Sequence, residues 1–328
     1  MVKRSMTIAE AIKGYIIDCR TLDRSERTIE WYEQKLNYFV RWLSEEEEID
    51  KLNQVTIDHL RSFVLHVKAA PLGRANLNKD DDSTELSPLT VKGYVQVTKG
   101  FFNWCFKEEL IKVNPAARLG LPSVPSYIIA TFTPDHIRAL LDACDRSTVL
   151  GYRDYTIILV LLETGIRVSE LCGLRLQDVH EDHIRVFGKG KKQREIGVSP
   201  GVSKVLWKYI HQYRGAAPDA ETLAFVNRHG HPLTKSGIER FLVALKNKAG
   251  VTGVRVSAHT FRHTFACTYM ENGGEIYKLS RLMGHSSVEV TEEYLKVFNL
   301  RVARQNQDHF SAVSTLDLLN KRKRKNVQ

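Results

Sequence analysis

The sequence predicts a mainly α chain of two domains, the second of them α+β with a small antiparallel sheet. Long segments repeat apolar residues at helical spacing on both sides of a proline-bearing stretch near 114–128. One segment, HIRVFGKGKKQREIGV, alternates like two strands joined by a Gly-Lys-Gly-Lys turn. The length, 328 residues, suits two units that each bury a core.

The first helix is expected after Thr7, because Glu10 three residues on completes a capping-box pattern ahead of IAEAIKGYIIDCR. ERTIEWYEQKLNYFVRWLSEE then sets Ile29, Tyr32, Leu36, Phe39, Val40 and Leu43 at helical spacing. TIDHLRSFVLHVKAA repeats the pattern until Pro71 stops it. The stretch PLGRANLNKDDDSTELSP reads as an exposed loop. Its Asp80, Asp81 and Asp82 read as a solvated tip rather than a metal site, since adjacent side chains diverge, and the run Glu45 to Glu48 reads the same way. SPLTVKGYVQVTKGFFNWCFKEELI resumes an amphipathic helix, with Phe101, Phe102, Trp104 and Phe106 expected in a core. Prolines in NPAARL and LPSVPSYI follow, which sets domains at 1–120 and 132–328, a linker at 121–131 and a tail from 301 to 328.

Beyond the linker, Thr133 caps TPDHIRALLDACD and Pro134 takes its first helical position. DYTIILVLLETGI is apolar enough for a buried helix ending at Gly165, and VSELCGL starts the next. Arg167 therefore stands at a turn between helices, with Glu170 placed to hold its guanidinium or to cap the second helix. Lys189 falls at the tip of the hairpin, where a solvated turn lysine is the plain alternative. HTFRHTFACTYMENGG reads as a helix ending at Gly273 and Gly274. On it Phe261 and Phe265 point one way, while His259, Arg262 and His263 share another face. LSRLMGHSSVEVTEEYLKV reads as a short helix, a Gly-His turn at His285, and a second helix capped by Ser286 or Ser287 that carries Tyr294. The tail adds an amphipathic stretch with Phe310, Val313, Leu316, Leu318 and Leu319, then a basic run from Lys321 to Lys325.

Charge is distributed unevenly. Residues 1–125 hold 18 basic and 18 acidic side chains, so the rest carries the whole net charge of +10. A basic domain attracts polyanions and releases condensed counterions on binding nucleic acid, although charge alone also suits an ordinary basic enzyme. No apolar run approaches the length of a membrane span. The start, MVKRSMTIAEAIKGY, lacks the apolar region of an export signal. Cys19, Cys105, Cys144, Cys172 and Cys267 show no CxxC spacing and read as reduced, mostly buried thiols of a cytoplasmic protein.

Six residues would together supply a phosphodiester cleavage that needs no metal: Arg167, Lys189, His259, Arg262, His285 and Tyr294. Two guanidinium forks match the non-bridging oxygens of a phosphate and keep their charge. A tyrosine oxygen forms a covalent intermediate that stores the energy for religation. A lysine or histidine supplies the proton to the departing 5′ oxygen. Each histidine taken alone reads as a satisfied core or capping group. His259 and His263 also have the spacing of a zinc pair in HExxH helices, but Thr260 stands where that motif needs its glutamate, and cationic Arg262 opposes a divalent ion. Neither metal nor cofactor is expected.

Taken together, TGIRVSELCGL, HTFRH and LMGHSSVEVTEEY resemble the signature strings of the tyrosine recombinase family, the phage integrase and Xer-like enzymes. The resemblance covers residues 132–300 as a catalytic domain. GFFNWCFKEELIKVNPAARL is similar to the family's helical, SAM-like core-binding domain. What it implies is a site-specific DNA recombinase that closes as a C-shaped clamp on duplex DNA. Cutting and rejoining would run through a 3′-phosphotyrosyl intermediate and a Holliday junction, in a homotetramer on two sites. Arg167 and Arg262 would bind phosphate, Tyr294 would be the nucleophile and Lys189 the general acid. His259 would assist proton transfer, His285 would hold phosphate and pack the tyrosine segment, and His263 would be structural. The loop at 70–87 is longer than a compact Xer protein suggests, and no arm-binding domain of the lambda integrase kind is read. A type IB topoisomerase-like or telomere-resolving enzyme, and a catalytically silent DNA-binding regulator on the same fold, are the alternatives.

Overall fold

The computed structural model describes residues 6–70, 86–125, 130–188, 192–215, 222–285 and 287–292. The chain divides into two compact units, Met1–Tyr127 and Ile128–Gln328. Lys189, Ser286, Tyr294, the acidic triplet at 80–82 and the tail at 301–328 lie outside the described residues.

In the first unit, α1 (Ile8–Thr21), α2 (Glu26–Glu46), α3 (Ile57–Ala69) and α4 (Pro88–Lys107) each begin at a hydroxyl side chain that accepts a backbone N–H three residues on. Thr7 and Glu10 close the expected box, the Thr7 hydroxyl accepting from Glu10 N at 3.2 Å and Thr7 N donating to the carboxylate at 2.8 Å. Leu36, Phe39, Leu60, Phe63, Phe101 and Phe102 form the centre of the core. Its rings meet edge to face, Phe39 on Phe63 at 4.8 Å and Phe101 on Phe102 at 5.2 Å. Phe106 departs from expectation and is 50% exposed, while Trp104 is half-buried against Tyr15. Four aromatics within six residues wrap further round a helix than one buried stripe spans. Ala116 and Leu119, in the proline-bearing stretch, are buried in this same core.

The second unit contains α5 (Pro134–Asp142), α6 (Val149–Thr164), α7 (Val168–Cys172), β1 (His183–Phe187), β2 (Gln193–Gly197), α8 (Pro200–Lys208), α9 (Lys235–Ala249), α10 (Ala258–Glu271) and α11 (Ile276–Met283). Residues 288–292 are again helical. The two strands pair antiparallel, His183 opposite Gly197 and Phe187 opposite Gln193, as the alternation predicts. Buried helix α6 starts before the apolar segment that marks it, at a Thr148 cap, and ends in a left-handed Gly165. It packs against α10 and α8.

The aromatic pair of α10 is divided between two hydrophobic clusters. Phe261 enters the main core, its ring 4.6 Å from Phe132. Phe265 packs instead with a small separate cluster formed by Ala266, Leu279 and Met283. Arg262 and His263 are each 3% exposed, so the face they share on α10 is largely enclosed, and His259 alone of the three is exposed. All five cysteines are free thiols, four buried and Cys172 half-buried. No described helix is long and apolar enough to cross a membrane.

Candidate active site

The last turn of α11 is where distant strings of the sequence meet. Helix ends leave carbonyls without intrahelical partners, and the aligned peptide dipoles make that end partly negative. Here three consecutive carbonyls each accept from a different arginine. Leu282 O takes Arg194 Nε at 2.6 Å, Met283 O takes Arg262 Nη2 at 2.6 Å, and Gly284 O takes Arg167 Nη2 at 2.9 Å. Arg167 comes from the α6–α7 turn, Arg194 from β2 and Arg262 from α10. The helix terminus thus gathers three cations without an acid of its own.

Glycines make these approaches possible at two points. Gly165 adopts φ +58° and its carbonyl accepts Arg262 Nη1 at 2.6 Å. A Cβ there would stand 2.3 Å from the Phe265 ring. Gly284 adopts φ +63°, and a Cβ would stand 2.9 Å from Arg194 Nη1. Both positions need the left-handed region and the missing side chain together.

Glu170 plays both roles open to it. Its Oε2 accepts Arg167 N at 2.8 Å, capping α7, and its Oε1 accepts Arg167 Nη1 at 3.0 Å. Arg194 grips the same carboxylate with both prongs, Nη1 to Oε1 at 2.9 Å and Nη2 to Oε2 at 2.8 Å. Burial pushes the Glu170 carboxyl up, and the bonds and charges of Arg194 and Arg167 outweigh it, leaving it below the ordinary carboxylate range. Its side chain is 3% exposed, that of Arg194 12%, and that of Arg167 37%, so Arg167 alone keeps a broad accessible edge.

The histidines are held neutral. His285 Nε2 lies 2.9 Å from Arg262 Nη2, and Nδ1 lies 2.8 Å from the Thr291 hydroxyl. A guanidinium only donates, so Nε2 accepts and Nδ1 carries the proton toward Thr291. Burial, then Arg262, Arg167 and Arg194, push His285 down to about 4. His259 and His263 share an Nε2–Nε2 hydrogen bond of 2.9 Å. Burial followed by Arg262 and Arg255 lowers His259, and burial followed by His259 and Arg262 takes His263 to about 3. Among the described residues no group of three metal-ligating side chains is placed to hold an ion.

Arg167, Arg262 and His285 are therefore brought together, with His259 one turn from Arg262 on α10, while the placement of Lys189 and Tyr294 is not described. Two members of the cluster escaped the sequence reading. Arg194 shares the inward face of β2 with Ile196, and a basic residue in phase with a buried one was its available signal. Thr291, fully buried, lies three residues before Tyr294, between exposed Val290 and Glu292.

Residues 130–301 match the phage integrase family, and residues 13–80 match the phage integrase N-terminal SAM-like domain. The chain is 28% identical over 283 residues to the tyrosine recombinase XerD of Listeria monocytogenes, covering 85% of this chain and 90% of that protein. It is 30% identical over 228 residues to the tyrosine recombinase XerC of Chlamydia muridarum, covering 69% and 72%. Its fold is similar to that of the XerH site-specific recombinase bound to a palindromic difH substrate, with a TM-score of 0.71 at 18% identity over 93% of this chain and 85% of that one. A lambda integrase dimer bound to a COC′ core site gives a TM-score of 0.70 at 16% identity, over 89% and 78%. With one match spanning more than half of its length and the SAM-like match ahead of it, the chain belongs to the phage integrase family of tyrosine recombinases.

Proposed function

We propose that this chain cuts and rejoins duplex DNA at a specific site through a covalent link to Tyr294. The observation that carries the reading is the convergence of Arg167, Arg262 and His285 on the end of α11, a few residues before the stretch that leads to Tyr294. The Tyr294 oxygen attacks the scissile phosphorus and forms a 3′-phosphotyrosyl bond while the bond to the 5′ oxygen breaks. Arg167, with its accessible edge, and Arg262 neutralise the non-bridging oxygens as negative charge builds on them. Lys189 gives its proton to the departing 5′ oxygen, and neutral His259 takes or returns a proton at the attacking hydroxyl. His285, fixed between Arg262 and Thr291, relays the position of the clamp to the tyrosine segment. The reverse reaction with a partner strand's 5′ hydroxyl rejoins the backbone, and two such rounds pass through a Holliday junction. Residues 1–120 serve as a core-binding domain and 132–328 as the catalytic domain. A homotetramer on two sites is the working assembly, with the 301–328 tail docking in a neighbouring protomer.

The test uses a nicked duplex that traps the covalent product. Wild-type protein should form a protein–DNA adduct in the presence of EDTA, and Tyr294→Phe should form none while binding DNA with nearly unchanged affinity. An adduct persisting in Tyr294→Phe would overturn the assignment.

A further inference from the structure

We propose that Arg194 is a positioning residue of this site, offsetting the charge of Glu170 so that the positive field of Arg167 stays directed toward its phosphate. The inference rests on the reading of Arg167 as a phosphate clamp.

Two arginines share one buried carboxylate, but not equally. Arg194 spends both prongs on Glu170, and its remaining Nε–H on Leu282 O. Its side chain is 12% exposed, so its charge is committed inward. Arg167 gives Glu170 one side-chain N–H and Gly284 O another, and keeps the more accessible guanidinium. A bidentate pair is the stronger of the two contacts, so the carboxylate charge falls mainly on Arg194. Remove that cation and Glu170 turns to Arg167 alone, drawing the guanidinium inward and offsetting the positive field a phosphate would meet. A buried carboxylate with a single partner also holds that partner more tightly, because little water screens the pair.

The second task of Arg194 is geometric. It bonds the end of α11 and α7 at once, and it does so from β2, the strand that begins a few residues after Lys189 in the sequence. Gly284, whose Cβ would touch Arg194 Nη1, marks how closely this side chain is seated.

The experiment follows adduct formation on the nicked duplex, with DNA affinity and unfolding temperature measured on the same proteins. Arg194→Gln should slow adduct formation on the order of a hundredfold while DNA affinity changes by less than about threefold, the signature of a lost transition-state effect. Adding Glu170→Gln removes the acid that Arg194 serves, so the double variant should regain on the order of tenfold over Arg194→Gln. A purely structural role predicts the opposite, since the double variant loses still more bonds. Arg194→Lys, measured beside them against loss of folding, keeps the cation without the fork and should be slowed less than Arg194→Gln. Wild-type rates in Arg194→Gln, equal losses in the Lys and Gln variants, or a double variant no faster than the single would each overturn the proposal. Arg167→Ala separates the two readings. If it abolishes adduct formation while the Arg194 variants behave as wild type, the clamp stands and only this inference falls.

Discussion

Gly165 offers a sharp energetic test, because the second unit carries its own control. Gly165→Ala introduces two effects: an L-residue in the left-handed region, about 1–2 kcal/mol, and a methyl placed 2.3 Å from the Phe265 ring. Forcing extra volume into a packed site costs about 1–3 kcal/mol. Gly250 ends α9 in the same conformation, φ +65°, with nothing within 4 Å of a built Cβ, so Gly250→Ala carries only the first effect. Taking about 3 kcal/mol for Gly165→Ala and about 1 kcal/mol for Gly250→Ala, and ~2–4 °C per kcal/mol for a unit of this size, the expected falls in Tm are ~6–12 °C and ~2–4 °C. Thermal unfolding followed by fluorescence measures both. The Gly165 carbonyl also holds Arg262, so Gly165→Ala should slow adduct formation at temperatures where it is still folded, and Gly250→Ala should not. Phe265→Leu, by making room, should recover part of the Tm in the double variant. Equal Tm values for the two alanine variants would refute the steric argument.

Stability should also follow pH. His285 and His263 titrate at about 4 and about 3 when folded, against an ordinary value of 6.5. The unfolded chain then binds more protons, so stability is full above about 6.5 and is lost as pH falls through about 4 and on through about 3. His285→Asn should flatten the Tm-versus-pH curve in that window, and an unchanged slope would contradict the assignment. Lys189→Ala should be rescued by a substrate whose bridging 5′ oxygen is sulfur, since a thiolate leaves without a proton; rescue of Arg167→Ala instead would reverse the two roles. Deleting residues 309–328 should leave single-site binding intact and weaken cooperative assembly on paired sites in gel-shift titrations, whereas wild-type recombination by the truncated protein would reduce the tail to a basic appendage.

Much of this architecture was legible because local chemistry and tertiary packing agree. Thr7 with Glu10, Thr133 with Pro134, and Gly165 are short-range signals, and each ends or starts a helix where its residue type demands. The two strands flanking the Gly-Lys-Gly-Lys segment declared themselves by alternation. The strings holding Arg167, Arg262 and His285 were recognisable as strings, yet nothing in them tells which carbonyl each arginine meets. That pairing depends on where the end of α11 lies in space, information of long range by nature. Arg194 was missed for this reason, its partners being 24 and 88 residues away. Phe106 was misread for a related one. Helical spacing gives a direction around an axis, and the extent of the neighbouring core decides what lies in that direction.

The three-carbonyl terminus of α11 has a consequence for how this protein fails. The helix is eight residues long, and its apolar side is held by a cluster of only a few buried side chains, Ala266, Leu279 and Met283 among them. Regions with few buried apolar contacts open locally well before the whole fold does. If that short helix lifts, each of the three guanidinium groups loses its carbonyl partner at the helix end in the same event, while the bonds to Glu170 and Gly165 O remain. The chemistry is then switched like a circuit behind one breaker, and heat or mutation at Leu279 or Met283 should silence it while most of the molecule stays folded.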